Sequence, residues 1–193
     1  MRRALAVVVS GGCLFALTAT GIAAANIVQN GSLENLKGRF TNTRCNYMAV
    51  HARSRAIDGW RVPAATTGEL AWGKRTCDGY RAAKGAFFLD LTGFGADSTN
   101  GAIRQTLRTR PGKHYRFSID VCTCNDGSLG VRVGTESLSL TPGKPFVVGS
   151  TPWTPMTGRF TGPQNRTPVL KIKKMTPGAQ IVVIDDVANA RRR

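Results

Sequence analysis

Histidine is nearly missing from this chain: there are two in 193 residues, His51 and His114, far apart. That scarcity argues against imidazole-based catalysis and against a histidine-built metal centre. No G-x-S-x-G and no H-E-x-x-H occurs, so the common hydrolase and metalloprotease arrangements are excluded. Acidic residues are also few, with Asp plus Glu at 11 against Lys plus Arg at 27 and a formal net charge of +16. The carboxylates that could pair for glycoside hydrolysis are Asp90, Asp97, Asp120, Asp126, Glu136, Asp185 and Asp186. They come without an acid/base constellation, so the chain reads as a binder and not as an enzyme. Beyond the N-terminus no apolar run is long enough to span a bilayer. No convincing amphipathic helical period appears either. Yet 41% of the residues are hydrophobic, too many for wholesale disorder and enough for one core.

The first 25 residues have the three-part form of a secretory signal. Met1-Arg2-Arg3 is a positive start, Ala4 to Ala19 carries no charge, and Ala23-Ala24-Ala25 offers a small-x-small cleavage site. The small residues closing a short apolar stretch favour a signal over an anchor. Arg2-Arg3 lacks the surroundings of a twin-arginine signal. Cys13 lacks the Leu expected upstream of a lipidation cysteine, and the apolar run continues past it. Cleavage before Asn26 leaves a strongly cationic chain with an even set of cysteines: Cys45, Cys77, Cys122 and Cys124. In a secreted protein that set reads as two disulfides. Cys122 and Cys124 share one face of a strand, where a bond between them would be strained. Cys45 and Cys77 are therefore expected each to bond one of that pair. A zinc site is disfavoured, because no C-x-x-C spacing supports it.

The mature chain reads as about ten short strands. His114 to Cys122 alternates cleanly, with Tyr115, Phe117, Ile119 and Val121 on one face. Phe87, Leu89 and Leu91 make another strand, as do Ile103 with Leu107, Val131 with Val133, and Leu170 with Ile172. Gln180 to Val187 is β-rich throughout, as a strand buried on both faces would be. Pro-Gly turns at 111–112, 142–143 and 177–178 punctuate the pattern. Lys37 to Arg55 is the least patterned stretch and is expected to be a long loop. The sum is an all-β sandwich spanning residues 26–190, with 191–193 a basic tail.

The order of several segments resembles the DUF-642 family. Asn26-Ile-Val-Gln-Asn-Gly-Ser-Leu-Glu34 is similar to its opening N-L-V-x-N-G-x-F-E, with Leu33 where Phe is usual. Ile57-Asp-Gly-Trp-Arg-Val62 resembles I-x-G-W-x-V. Asp78-Gly79 with Phe88-Leu-Asp-Leu-Thr-Gly93 resembles D-G-x…L-D-L-x-G. Gly101-Ala-Ile-Arg-Gln-Thr-Leu107 and Pro111-Gly-Lys-His-Tyr-Arg-Phe117 follow in the family's order. Trp153 to Phe160 and the closing Val183-Ile-Asp-Asp-Val187 complete the match, which covers essentially all of residues 26–187. Cys45 to Arg55 departs from it. The resemblance implies a galactose-binding-like jelly-roll sandwich, a fold shared with many carbohydrate-binding modules. Plant members usually carry two copies and associate with cell walls; this chain has one copy. Modules of this fold often hold a structural calcium with a Glu of the first strand and an Asp of the last. The matching residues are Glu34 and Asp186.

Two groups of side chains are candidates for binding. Trp72 and Trp153 lie in stretches that could be exposed and stack on sugar rings, whereas Trp60 belongs to the core. Arg104, Arg108 and Arg116 fall on the outward parity of their strands, and Lys171 and Lys173 do so around Ile172. If those strands share a sheet, one face is a cationic plane suited to a polyanion. These readings converge on a secreted, non-catalytic protein of the extracellular space or cell wall. Its expected ligand is carbohydrate, of acidic type. The alternative is a charge-driven surface protein whose partner is another protein or nucleic acid.

Overall fold

A computed structural model describes residues 26–76, 78–94, 100–124, 126–164, 167–176 and 180–191. The expected signal segment, Cys77, Asp97 and Arg192-Arg193 lie outside the described residues.

Among the described residues there is no helix, and twelve strands form two antiparallel sheets. They are β1 (Tyr47–His51), β2 (Glu69–Gly73), β3 (Phe88–Asp90), β4 (Ala102–Thr106), β5 (His114–Cys124) and β6 (Leu129–Val133). β7 (Glu136–Ser137), β8 (Thr141–Pro142), β9 (Phe146–Val148), β10 (Thr151–Thr161), β11 (Val169–Lys174) and β12 (Ile181–Arg191) follow. The large sheet runs β1-β2-β3-β12-β5-β10-β8, with β9 paired to β10; the small sheet runs β4-β11-β6-β7. The chain crosses between sheets at β3–β4, β4–β5, β5–β6, β7–β8, β10–β11 and β11–β12. This interleaving makes the molecule a jelly-roll β-sandwich.

The alternation in the sequence builds the core. Phe117, Ile119 and Val121 of β5 face Ile103 of β4 and Leu170 and Ile172 of β11 across the sandwich, all buried in one cluster. The unpatterned stretch 37–55 contains β1, contrary to the expected loop. Met48 and Val50 face inward and pair in register with Trp72 and Leu70 of β2. The expected basic tail is likewise corrected at its first residue, because Arg191 is the last residue of β12, opposite Tyr115. The opening segment packs against the closing strand. Val187 N–H donates to Gly31 O at 2.8 Å, and a Cβ on Gly31 would meet the Val187 carbonyl oxygen at 1.7 Å. Only glycine permits that approach.

The cysteine expectation is corrected. Cys122 is a buried thiol, seated opposite Val183 in an apolar cluster with Phe88 and Trp153. It fills space there as a small hydrophobe does. Cys45 is disulfide-bonded. Cys77 and the side chain of Cys124 lie outside the described residues.

Candidate functional site

The small sheet has an inner face of Ile103, Leu170, Ile172, Val131 and Val133, all buried. Parity therefore sends the alternate residues outward. Register then decides which of these meet. Arg104 of β4 lies opposite Lys171 of β11, and Lys171 lies opposite Arg132 of β6. On the other side of β4, Arg61 forms an isolated bridge with Arg104, each N–H donating to the other's carbonyl at 2.9 Å. The result is an unbroken row, Arg61–Arg104–Lys171–Arg132, one cation per strand position. Lys173 stands beside it on β11. The other outward positions paired across these strands are Ala102, Thr106, Gly130, Ser137 and Val169, so no carboxylate interrupts the row.

The row is held from beneath. Gln105, buried next to Arg104, donates through Nε2 to the carbonyls of Gln29 (2.8 Å) and Gly59 (2.9 Å) and accepts from Gln29 N–H (2.7 Å). Trp60 is buried and donates its indole N–H to Asn30 O at 2.9 Å. These bonds fix the segment that presents Arg61. At the far end Arg132 Nη2 donates to Thr135 O at 3.2 Å. A cleft of about 420 Å³ opens at the Arg61 end, where Lys37, Arg55, Arg61 and Arg104 line it. Of these, Lys37 is paired with Asp58 at 3.1 Å. A second cleft of about 430 Å³ lies at the other end, lined by Arg132, Lys171, Lys173 and Met175.

Sequence parity thus located Arg104, Lys171 and Lys173 on one face, and the fold makes the first two direct neighbours. Arg116 does not join them. It lies on β5 of the large sheet, opposite Arg159 of β10, and lines a different surface with Glu136. Arg108 is exposed on the connection after β4 and pairs in no strand. Arg61 and Arg132 were missed. Arg132 sits outward between Val131 and Val133, so the same parity rule identifies it; nothing local marks Arg61, which joins through a single bridge.

The expected aromatic contacts are overturned. Trp72 is 0% exposed, stacked on Phe87 with centroids 4.3 Å apart, and donates to Leu33 O at 3.1 Å. Trp153 is also 0% exposed, because the segment that carries Arg81 covers it and accepts its indole N–H at 3.1 Å. Neither ring is available to a sugar.

Carboxylates gather on the large sheet instead. Glu34 Oε1 accepts from the backbone N–H groups of Ala86 (2.9 Å) and Phe87 (2.8 Å). Asp185, at the β12 bulge, accepts from Lys84 N–H (3.0 Å) and Asp186 N–H (2.7 Å). Asp186 Oδ2 lies 3.5 Å from Lys84 Nζ. Burial pushes Asp185 up to about 7; its two N–H partners oppose this, and the charges of Asp186 and Glu34 add to it. Asp120, directly opposite Asp185, is pushed up to about 6 by burial and by Asp186. Asp90 reaches about 6 through burial, against the hydrogen bonds from Thr92. Glu34 and Asp186 therefore flank one turn, 84–87, with Glu34 Oε1 engaged by two N–H groups and Asp186 Oδ2 by an ammonium. Among the described residues no group of three or more His, Cys, Asp or Glu is arranged to hold a metal ion.

No family profile matches the chain. Over 172 residues, 84% of the chain, it is 29% identical to halomucin of Haloquadratum walsbyi, and it spans 2% of that protein's length. Among solved structures it is similar to the enzymatically active domain of tailspike protein 4 of bacteriophage CBA120. That likeness has 12% identity and a TM-score of 0.46, over 86% of this chain and 21% of the other. It is also similar to the CBM22-1 xylan-binding domain of Paenibacillus barcinonensis, at 13% identity and a TM-score of 0.43 over 75% and 92% of the two chains. A CBM4 follows at 16% identity and a TM-score of 0.39, over 86% and 99%. None of these likenesses assigns a ligand or an activity to this chain.

Proposed function

We propose that this chain is a secreted, non-catalytic protein that binds acidic extracellular polysaccharide through the outer face of its small sheet. The observation that carries the reading is the row Arg61–Arg104–Lys171–Arg132, four cations in register with no carboxylate among their outward neighbours. Adjacent strands lie ~4.8 Å apart, so the row concentrates like charge within a short span. Such a cluster raises the free energy of the folded state by mutual repulsion, and a polyanion relieves it. Arginine adds planar donors suited to carboxylate, while lysine acts as a point charge. The face carries no aromatic ring at its outward positions, so charge and hydrogen bonding supply the binding, with Val169 and Met175 as apolar contacts. Single-stranded nucleic acid, the alternative ligand, is usually held by stacking on aromatic rings, which this face does not offer.

The test is binding to polygalacturonate and to a neutral glucan, for the native protein and for the triple variant Arg104→Ala, Lys171→Ala, Arg132→Ala. The native protein binds the polyanion, loses it as salt rises, and leaves the glucan alone. The variant folds and binds weakly. Equal retention of both polymers by both proteins overturns the proposal.

A further inference from the structure

We infer that the ligand carries one acidic group on each sugar and lies across the strands of the small sheet, from one cleft to the other. This rests on the proposed polysaccharide-binding role and specifies the charge spacing that the face can read.

The cations are placed by backbone register, so their spacing is that of the strands. Arg61, Arg104, Lys171 and Arg132 step across the sheet at ~4.8 Å each, covering roughly 14 Å. Along a strand the pattern is different. On β11 only Lys171 and Lys173 face outward as cations, separated by about 6.6 Å, and the same strand then gives Val169. A ligand running along the strand meets two charges; one running across meets four. A linear chain of six-membered sugar rings advances by close to one strand spacing per ring. A carboxylate or sulfate on every ring therefore meets a cation at every step. A polymer charged on alternate rings meets half of them. Nucleic acid is also mismatched, with a phosphate every ~3.4 Å along each strand of the duplex.

The two ends of the row support the same direction. Each opens into a cleft, one lined by Arg55, Arg61 and Arg104, the other by Arg132, Lys171 and Lys173. In the first, Arg61 buries its Nε without a hydrogen-bond partner among the described residues. A buried donor left so is costly, and an acidic group entering the cleft would supply the missing acceptor. Arg61 and Arg104 are half-buried, which narrows the positions their guanidinium groups can take.

The experiment compares polygalacturonate, with a carboxylate on every ring, and hyaluronate, with one on every second ring, at equal carboxylate concentration and low salt. Native protein should bind polygalacturonate about tenfold more tightly, since two further surface ion pairs are engaged. Galacturonate oligomers should gain affinity steeply from dimer to tetramer and little beyond. Arg61→Ala and Arg132→Ala, at opposite ends of the row, should each weaken polygalacturonate binding about threefold. Lys144→Ala, exposed on the turn between β8 and β9, should leave it within twofold. Equal affinity for the two polymers, or a loss with Lys144→Ala as large as with the end variants, overturns the spacing inference and leaves polysaccharide binding standing. Failure to bind either polymer overturns the proposed function itself.

Discussion

Asp185 makes the stability of this protein depend on pH in a direction opposite to that of most carboxylates. Its side chain is fully buried, and burial lifts it from 3.8 to about 7. Between those values the folded chain keeps a proton that the unfolded chain has released. The contribution of Asp185 to stability is therefore greatest at low pH and falls as pH rises, until the folded protein also loses the proton near 7. A shift of about three pH units corresponds to roughly 4 kcal/mol in all, or about 1.4 kcal/mol for each unit. Asp90 and Asp120 act in the same direction but reach only about 6. From pH 6 to 7 Asp185 therefore supplies the largest share of the slope. Urea denaturation at fixed ionic strength across pH 5–8 reads the slope. Asp185→Asn should flatten it between pH 6 and 7. The variant also carries an offset, because Asn can accept only one of the bonds from Lys84 N–H and Asp186 N–H. Leaving the other buried donor facing an amide costs about 1–3 kcal/mol. The slope, not the offset, is the test. Stability that is flat or rises through this interval, or a variant with the native slope, refutes the reasoning.

Two further expectations follow from the closing strand. Gly31→Ala places a methyl group 1.7 Å from the Val187 carbonyl oxygen, so the opening segment must leave β12, and the thermal midpoint should drop by several degrees; a native midpoint contradicts the packing. A calcium ion held by Glu34 and Asp186, as the family resemblance implies, would have to displace Lys84 from Asp186; with Lys84 as the internal counter-ion the midpoint should be the same in calcium and in chelator, and a rise with calcium would restore the metal site.

The parts of the fold that were legible in the sequence are those that depend on alternation. Tyr115 to Val121, Val131 with Val133 and Leu170 with Ile172 gave strands and faces, because period-two patterning reflects a sheet with one side in the core. Tyr47–His51 was not legible. Its inward residues are Met48 and Val50, but Tyr47 and Ala49 on the other side blur the alternation, since Tyr47 is itself buried against Phe88 and Phe94. The tryptophans failed for a related reason. Proline and basic neighbours suggested exposure, yet Trp153 lies on the outer face of the large sheet beneath the 80–83 segment, a cover visible only in three dimensions. Cationic parity was readable for Arg104, Lys171 and Lys173. Which sheet each strand joins was not, and that alone separates Arg116 from the row.

Carboxylates are distributed differently from cations over the two sheets: Arg116 and Arg159 pair on the large sheet, but the outer face of the small sheet carries cations without acidic neighbours. Glu34, from the opening segment, and Asp185 and Asp186, from β12 of the large sheet, flank the 84–87 turn, where they accept from its backbone N–H groups and pair with Lys84. On the small sheet the cations of the row have no carboxylate among their outward neighbours. A fold tuned for stability alone would interleave the two signs, because opposite charges across adjacent strands stabilise a sheet and like charges destabilise it. Three like pairs in succession, Arg61 with Arg104, Arg104 with Lys171 and Lys171 with Arg132, are therefore a standing cost. Salt screens that cost in part, and the proposed polyanion would offset it further by reaching all four cations at once. A polymer does so with little further loss of freedom per contact, because each bound ring positions the next. On the proposed reading, repulsion within the row and affinity for a regularly charged chain would be one electrostatic energy, read without and with the ligand.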